Sequence, residues 1–413
     1  MSRTIEDLRQ KQGLPLSTKV LLTQSRIRQW VNEYGMDGVY VSFSGGKDST
    51  VLCHIIDNMY PNNKIPKVFI NTGLEYPEIV QFVKTKSNVV ILRPEMNFKK
   101  VIEKYGYPFP SKEAAECISG AQRYLAELLA QTDEQTGNLP YHYFFDKLCG
   151  IGKYAKSAQG GQTQSLENSE ELASLLRERR DAMSGGANFR MARMLGMLTR
   201  KNEILPAESI PSKDRSAYAQ QKWKFFLEPG APRVSQRCCN VMKKKPAHKY
   251  GHKTGRKPMT AEMADESRLR KQNWLMHGCN GFDMKEPKSM PMAFWTEQDV
   301  LQYIKENNVE IASVYGDIVC DNGEDLVANG QMHITDFLGG DRKLKTTGCS
   351  RTGCMFCGYG CHLEKPGEGR FLRLKQTHPK IYEWIMKPTD QGGLGYKEVI
   401  DWINEHGNLH IEY

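Results

Sequence analysis

The 413-residue sequence predicts an α/β protein, a doubly wound parallel sheet with an inserted helical subdomain and a Cys-rich C-terminal element. Three observations predict it. Short β-rich runs alternate with helical ones up to about residue 120, helical patterns dominate from about 121 to 225, and Cys349, Cys354, Cys357 and Cys361 crowd into one Gly-rich stretch.

The first strand is marked by the alternation of Val39, Val41 and Phe43, and the helix after it by Val51, Leu52, Ile55, Ile56 and Met59 on one face. KVFIN (67–71) and NVVIL (88–92) read as two further strands, with Pro77 and Glu78 opening a helix after the former. ELASLLRERRDAM and FRMARMLGMLTRK read as helices separated by the polar stretches QGGQTQSLENS and SGGAN, which predicts a helical insertion over 121–229. The α/β pattern resumes near 230. There MPMAFWTEQDVLQYIKENN predicts a short strand and a helix capped by Thr296, with Asp299 three residues on. The expected division is one α/β domain from 1–120 and 230–330, the insertion, and a C-terminal element over 331–413. That element holds the cysteines and two helices, QTHPKIYEWIM and YKEVIDWINEHG, the second ending at Gly407.

Composition narrows the class. Hydrophobic residues make up 39% and charged residues 25%, enough for a buried core, and no run of eighteen apolar residues predicts a membrane span. The N-terminal stretch lacks the apolar region of a signal peptide, so a cytoplasmic location with no membrane partner is expected. Eleven cysteines in such a compartment read as metal ligands or redox groups rather than disulfides. Cys53, Cys117, Cys149, Cys279 and Cys320 stand alone and read as small buried apolar residues.

Ser44-Gly45-Gly46-Lys47-Asp48-Ser49 lies between a predicted strand and a predicted helix. Its two glycines let backbone amides approach an anion, the helix N-terminus adds partial positive charge, and Lys47 adds a full one. A Walker A loop is excluded, because Val41 stands where the first Gly belongs and Asp48 where Ser or Thr should follow the lysine. The loop resembles SGGKDS of the PP-loop family of adenine-nucleotide-binding proteins. The branch it resembles holds the phosphoadenosine phosphosulfate (PAPS) reductases, the ATP sulfurylase small subunits and the Dnd phosphorothioation proteins. That resemblance implies the PP-loop, HUP-like fold, with Ser44, Gly45, Gly46, Lys47 and Ser49 on the terminal phosphates and Lys47, Asp48 and Ser49 serving catalysis.

Two further blocks carry the resemblance, which covers most of residues 38–361 in scattered pieces. Asn71 to Glu78 matches a family element at the end of the next strand, which implies that Thr72, Gly73 and Glu75 reach the nucleotide or its Mg²⁺; Asn71 stands where the family usually has Asp. Ala261 to Arg268 resembles the family's G-x-R-A-x-E-S motif, which implies that Glu266, Ser267 and Arg268 line the nucleotide pocket. Ala261 replaces its Gly, and Met263 replaces its Arg, removing a bidentate anion clamp that PAPS recognition would use.

Two thiol sets compete for a metal centre. One is local: Cys349, Cys354, Cys357 and Cys361. The other joins Cys238 and Cys239 to the Cys354/Cys357 CxxC pair, in the pattern of adenosine phosphosulfate reductases, and the wider resemblance favours it. A 4Fe-4S cluster is the expected group, with structural Zn²⁺ and a free dithiol as alternatives. The end of the chain, EHGNLHIEY, lacks the cysteine of the E-C-G-x-H segment that attacks sulfonucleotides in the assimilatory reductases.

The net charge of +9 is unevenly spread. Arg237, Lys243, Lys244, Lys245, Lys249, Lys253, Arg256 and Lys257 share residues 237–257 with no acid among them, and His248, Tyr250 and His252 are interleaved. This segment fits nucleic acid; Lys243 to Lys245 equally fit a negatively charged cluster or nucleotide phosphates. The resemblance implies an enzyme that binds ATP with Mg²⁺, releases pyrophosphate and adenylates an acceptor, with nucleic acid a candidate, for sulfur transfer from a donor such as a cysteine desulfurase. Sulfonucleotide reduction and a non-catalytic, DNA-associated nucleotide sensor are the competing readings.

Overall fold

The computed structural model describes residues 3–130, 170–177, 186–320 and 343–413. The stretch QGGQTQSLENS, the end of ELASLLRERRDAM and Cys149 lie outside the described residues. The chain divides into two compact units: Met1–Glu95 with Val241–Met355, and Met96–Asn240 with Phe356–Tyr413.

The first unit holds the sheet. Two N-terminal helices, α1 (Ile5–Gln12) and α2 (Leu16–Tyr34), precede β1 (Val39–Ser42), α3 (Lys47–Met59), β2 (Lys67–Ile70), α4 (Pro77–Thr85) and β3 (Val89–Leu92). After the excursion through the second unit, α5 (Lys245–Thr254) leads to β4 (Lys257–Met259), α6 (Arg268–His277), β5 (Asn280–Gly281), β6 (Lys288–Ser289) and α7 (Glu297–Glu306). The six strands run in the order β3-β2-β1-β4-β6-β5, parallel throughout except for the antiparallel edge strand β5, with helices on both faces. A separate two-stranded ribbon pairs Ile318–Cys320 with Leu344–Thr346.

β1 sits between β2 and β4, and Val39, Tyr40 and Val41 are all buried, as a strand covered on both faces requires. On α3 the residues Val51, Leu52, Ile55 and Ile56 are each at most 1% exposed, so the helical face read from the sequence is the packed one. Helix α2 buries Leu16, Lys19, Thr23, Ile27, Trp30 and Val31 along one stripe. Lys19 is stabilised there by Asp299, whose two carboxylate oxygens each lie 2.7 Å from its Nζ. Asp299 also accepts from the Thr296 amide and hydroxyl, completing the capping box of α7 expected from the sequence.

The short strand expected in MPMAF is displaced. The strand is β6, just before it, and Pro291–Phe294 turn back on themselves through Ala293 N–H to Met290 O and Trp295 N–H to Met292 O. Pro291 has no amide to give a ladder, which favours the turn.

The described part of the second unit is helical. It contains Phe98–Tyr105, Lys112–Ala130, Ala187–Leu195, Arg370–Thr377, Pro379–Met386 and Tyr396–Gly407. Phe109, Phe371 and Tyr396 pack ring against ring at its centre, and the Tyr396 hydroxyl donates to Phe356 O. The pattern QTHPKIYEWIM is two helices rather than one, because Pro379 restarts the chain at a first-turn position. The last helix includes Gly407, and its cap is Asn408 at φ 48°.

Candidate active site

Ligands of open parallel sheets bind beyond the carboxyl ends of the strands, where the strand order reverses. Here the reversal is at β1, flanked by β2 and β4. The three sequence blocks follow those same strands: Ser44–Ser49 follows β1, Asn71–Glu78 follows β2, and Ala261–Arg268 follows β4.

The first loop is tightly built. Gly45 takes φ +71°, and a Cβ there would stand 2.8 Å from Ile79 Cγ2 and from Val83 Cγ2, so only glycine lets the loop lie against α4. The Ser44 amide donates to Ser49 Oγ at 3.2 Å, and the Gly46 amide donates to Ser44 Oγ at 3.2 Å. Ser49 Oγ and Thr50 Oγ1 each donate to Gly46 O at 3.0 Å. Ser49 therefore shapes the loop, while Ser44 is exposed on it.

Lys47 is the first residue of α3 and is only 4% exposed. Its Nζ donates to Ser350 O at 2.7 Å and lies 2.9 Å from Glu297 Oε1. Its amide donates to the Tyr315 hydroxyl at 3.1 Å, and that hydroxyl is hydrogen-bonded to Thr352 Oγ1. Burial pushes the Tyr315 phenol up to about 12, only partly opposed by the Thr352 bond, so it stays a neutral donor and acceptor. Asp48 Oδ1 is buried with no hydrogen-bond partner among the described residues. Burial raises the Asp48 carboxyl above its ordinary value, against the opposing charges of Lys47, Arg351 and Arg270.

In the second block Glu75 is committed to its own turn. It accepts from the Thr72 amide at 2.9 Å and the Thr72 hydroxyl at 2.8 Å, and Lys243 Nζ stands 3.7 Å away. Gly73, at φ +77°, has open space on its Cβ side. In the third block Glu266 accepts from the Met263 amide at 3.0 Å and pairs with both Arg270 and Arg351. Ser267 caps α6 by accepting from the Arg270 amide, and Arg268 is exposed. Met263 is 4% exposed, an apolar core residue at the position that the expected arginine would occupy. Arg351, acting on Asp48 and bonded to Glu266, connects the first block to the third.

Tyr315, Ser350, Arg351, Thr352 and Glu297 were not apparent as site residues from the sequence. The signal nearest to hand was the crowding of polar residues between Cys349 and Cys354, where only the cysteines stand out.

No disulfide joins any described cysteine. Cys53, Cys117 and Cys279 are buried, as expected of small apolar residues, whereas Cys320 is only half-buried; burial pushes the thiols of Cys53 and Cys117 up to about 12. In the second unit Cys238 is buried, and Cys239 lies close enough for its charge to act on Cys357, whose thiol is raised first by burial. Cys361 donates to Gly358 O at 2.9 Å, and burial pushes its thiol up to about 12. Cys349 is 5% exposed in the first unit, which also holds Cys354.

Much of the basic segment is paired. Lys243 faces Glu75, Lys249 lies 2.7 Å from Glu95, and Arg256 donates to Val39 O beside Asp37. Tyr250 packs edge-on against Tyr40.

Residues 38–124 and 197–358, more than half of the chain, match the phosphoadenosine phosphosulfate reductase domain. The chain belongs to that family. The match places it in the PP-loop/PAPS reductase superfamily, and the matched range contains the Ser44–Ser49 loop, the Asn71–Glu78 turn and the Glu266 block. A stretch of 86 residues is also 35% identical to the uncharacterised protein MJ0973 of Methanocaldococcus jannaschii, covering 20% of each chain. The match therefore spans about a fifth of that relative's length. No described helix is long and apolar enough to cross a membrane.

Proposed function

We propose that the enzyme binds ATP on the Ser44–Ser49 loop and transfers its adenylyl group to an acceptor oxygen, which thereby becomes a leaving group for sulfur. The acceptor oxygen attacks the α-phosphorus, the bond to the β-phosphate breaks, and pyrophosphate departs with the electron pair. The single observation that carries this reading is the buried Lys47 ammonium at the N-terminus of α3, a full positive charge beside loop amides where pyrophosphate charge would develop. Met263 adds support, since an apolar side chain in place of arginine leaves a sulfate group without its clamp.

Asp48 fits an Mg²⁺ bound with the nucleotide better than Glu75 does, because Asp48 Oδ1 is buried without a partner whereas the Glu75 oxygens hold Thr72 and face Lys243. Bound there, the ion would neutralise phosphate oxygens. Cys239 and Cys357 fit an iron-sulfur or zinc group, being close enough for the charge of one to act on the other, and Cys238 and Cys354 are their sequence partners in the CC and CxxC pairs. Such a group would hold or deliver sulfur. A polyanionic acceptor such as nucleic acid would find its counter-charge in the exposed Lys244, Lys245 and Lys253, with a cysteine desulfurase supplying the sulfur.

The test is competition between ATP and PAPS for anaerobically purified protein with Mg²⁺ present, followed by an assay for pyrophosphate release with nucleic acid and a sulfur donor supplied. ATP should bind in preference and pyrophosphate should form. Preferential binding of PAPS would overturn adenylation in favour of sulfonucleotide chemistry, and ATP binding without pyrophosphate would leave a sensor.

A further inference from the structure

A second donor cluster, separate from the nucleotide loop and independent of the adenylation reading, lies on the first unit. Helix α5 carries His248 and His252 four residues apart, which places both imidazoles on one helical face. Facing them is Glu286, from the turn between β5 and β6. The His248 Nδ1 lies 2.6 Å from Glu286 Oε2, and the His252 Nε2 lies 3.6 Å from Glu286 Oε1. One donor atom from each residue lies within 4.8 Å of the other two, and among the described residues no other three metal-type side chains are so gathered.

The chemistry of this set is selective. Two imidazoles and one carboxylate, with no thiolate, suit a borderline divalent cation; Mg²⁺ and Ca²⁺ prefer all-oxygen shells. Two histidines and a glutamate are a known three-ligand set for Zn²⁺, the fourth position being left to water. All three side chains are solvent-accessible, at 49%, 74% and 49% exposure, so a cation enters without rearrangement of the core. Two nearby cations are already neutralised, Lys249 by Glu95 and Arg256 by Asp37. The two carboxylate oxygens each face a different imidazole.

We propose that His248, His252 and Glu286 form a Zn²⁺ site that clamps the β5–β6 turn to α5. The bound ion ties the edge of the sheet to the helix that carries Lys245, Lys249 and Lys253 of the basic segment, and it is held by nitrogen and oxygen alone.

Cobalt(II) is the probe, because its visible spectrum distinguishes nitrogen and oxygen ligands from thiolates, which add sulfur-to-metal charge-transfer absorption. The full-length protein, stripped with a chelator, is titrated with Co²⁺ alongside His252→Ala and Glu286→Gln, which lie on different elements and are exposed in the fold. The wild type should bind one equivalent with a nitrogen and oxygen spectrum. Both variants should bind it at least about tenfold more weakly, the smallest loss that even an outer-shell partner produces, while any thiolate-type signal stays unchanged. A wild type that shows only thiolate-type binding, or variants that keep the nitrogen and oxygen site at full affinity, would overturn the assignment.

Discussion

The Lys47 ammonium lies 2.9 Å from the Glu297 carboxylate, so the cation at the mouth of the phosphate loop is already held by an anion. Under the proposed function, a nucleotide phosphate competes with that carboxylate. Glu297 is half-exposed, at 51%, so the pair is solvent-screened and contributes at most about 1 kcal/mol. Glu297→Gln should therefore tighten ATP binding by up to about fivefold. Lys47→Ala should abolish it. Calorimetric titration of both variants with Mg-ATP checks the pair, and unchanged affinity in Glu297→Gln would show that phosphate does not displace the carboxylate.

Asp48 carries the opposite signature. Burial raises its folded-state carboxyl above the ordinary value, so its ionised form opposes folding. A raised acid contributes stability that is fully present below its unfolded value, near 4, and is lost as pH rises through the folded value. Asp48→Asn should accordingly raise the melting temperature at neutral pH, with the gain vanishing toward pH 4, while nucleotide turnover falls sharply. Melting curves across that range, set beside a pyrophosphate assay, test both halves; an equal gain at every pH would mean that the charge is not the cause.

Gly45→Ala combines a left-handed backbone with an overlap against Ile79 and Val83. The expected loss is about 1–3 kcal/mol of stability, together with nucleotide binding. Gly73→Ala has the same sign of φ but open space around the new methyl, so its cost should be the backbone strain alone. Chemical denaturation of the two variants separates steric from backbone effects.

Lys19→Met should be the most destabilising of these changes. Lys19 is 2% exposed and bonded to both Asp299 oxygens, so its removal leaves a buried carboxylate without its counter-ion, at a cost of about 3–5 kcal/mol. The double variant Lys19→Met with Asp299→Asn should recover part of that loss, which denaturant midpoints will reveal.

The first strand was legible from the alternation of Val39, Val41 and Phe43, although Tyr40 between them is buried too, and α3 shows its buried stripe in the spacing of Val51, Leu52, Ile55 and Ile56. Helix α2 was equally periodic, but its stripe includes Lys19 and Thr23, polar residues that are satisfied only by partners some 270 residues away in sequence, so it does not read as apolar. The same distance hides Tyr315, Ser350 and Glu297 from any local pattern, although each touches Lys47. The loop itself stood out because glycines at fixed offsets before a helix are the pattern an anion-binding turn requires, wherever the rest of the chain lies.

The placement of β1 between β2 and β4 has a consequence for synthesis. A ribosome releases β1, β2 and β3 by Leu92 but cannot supply β4 until Lys257, so one hydrogen-bonding edge of the central strand stays bare while the whole intervening segment is made. Nascent chains stalled before Lys257 should be captured by chaperones or aggregate, whereas those stalled far enough beyond Ser289 for all six strands to clear the exit tunnel should resist protease. The sheet that carries the Ser44–Ser49 loop is thus closed late, by the half of the chain that also brings Glu266 and Arg351 to it.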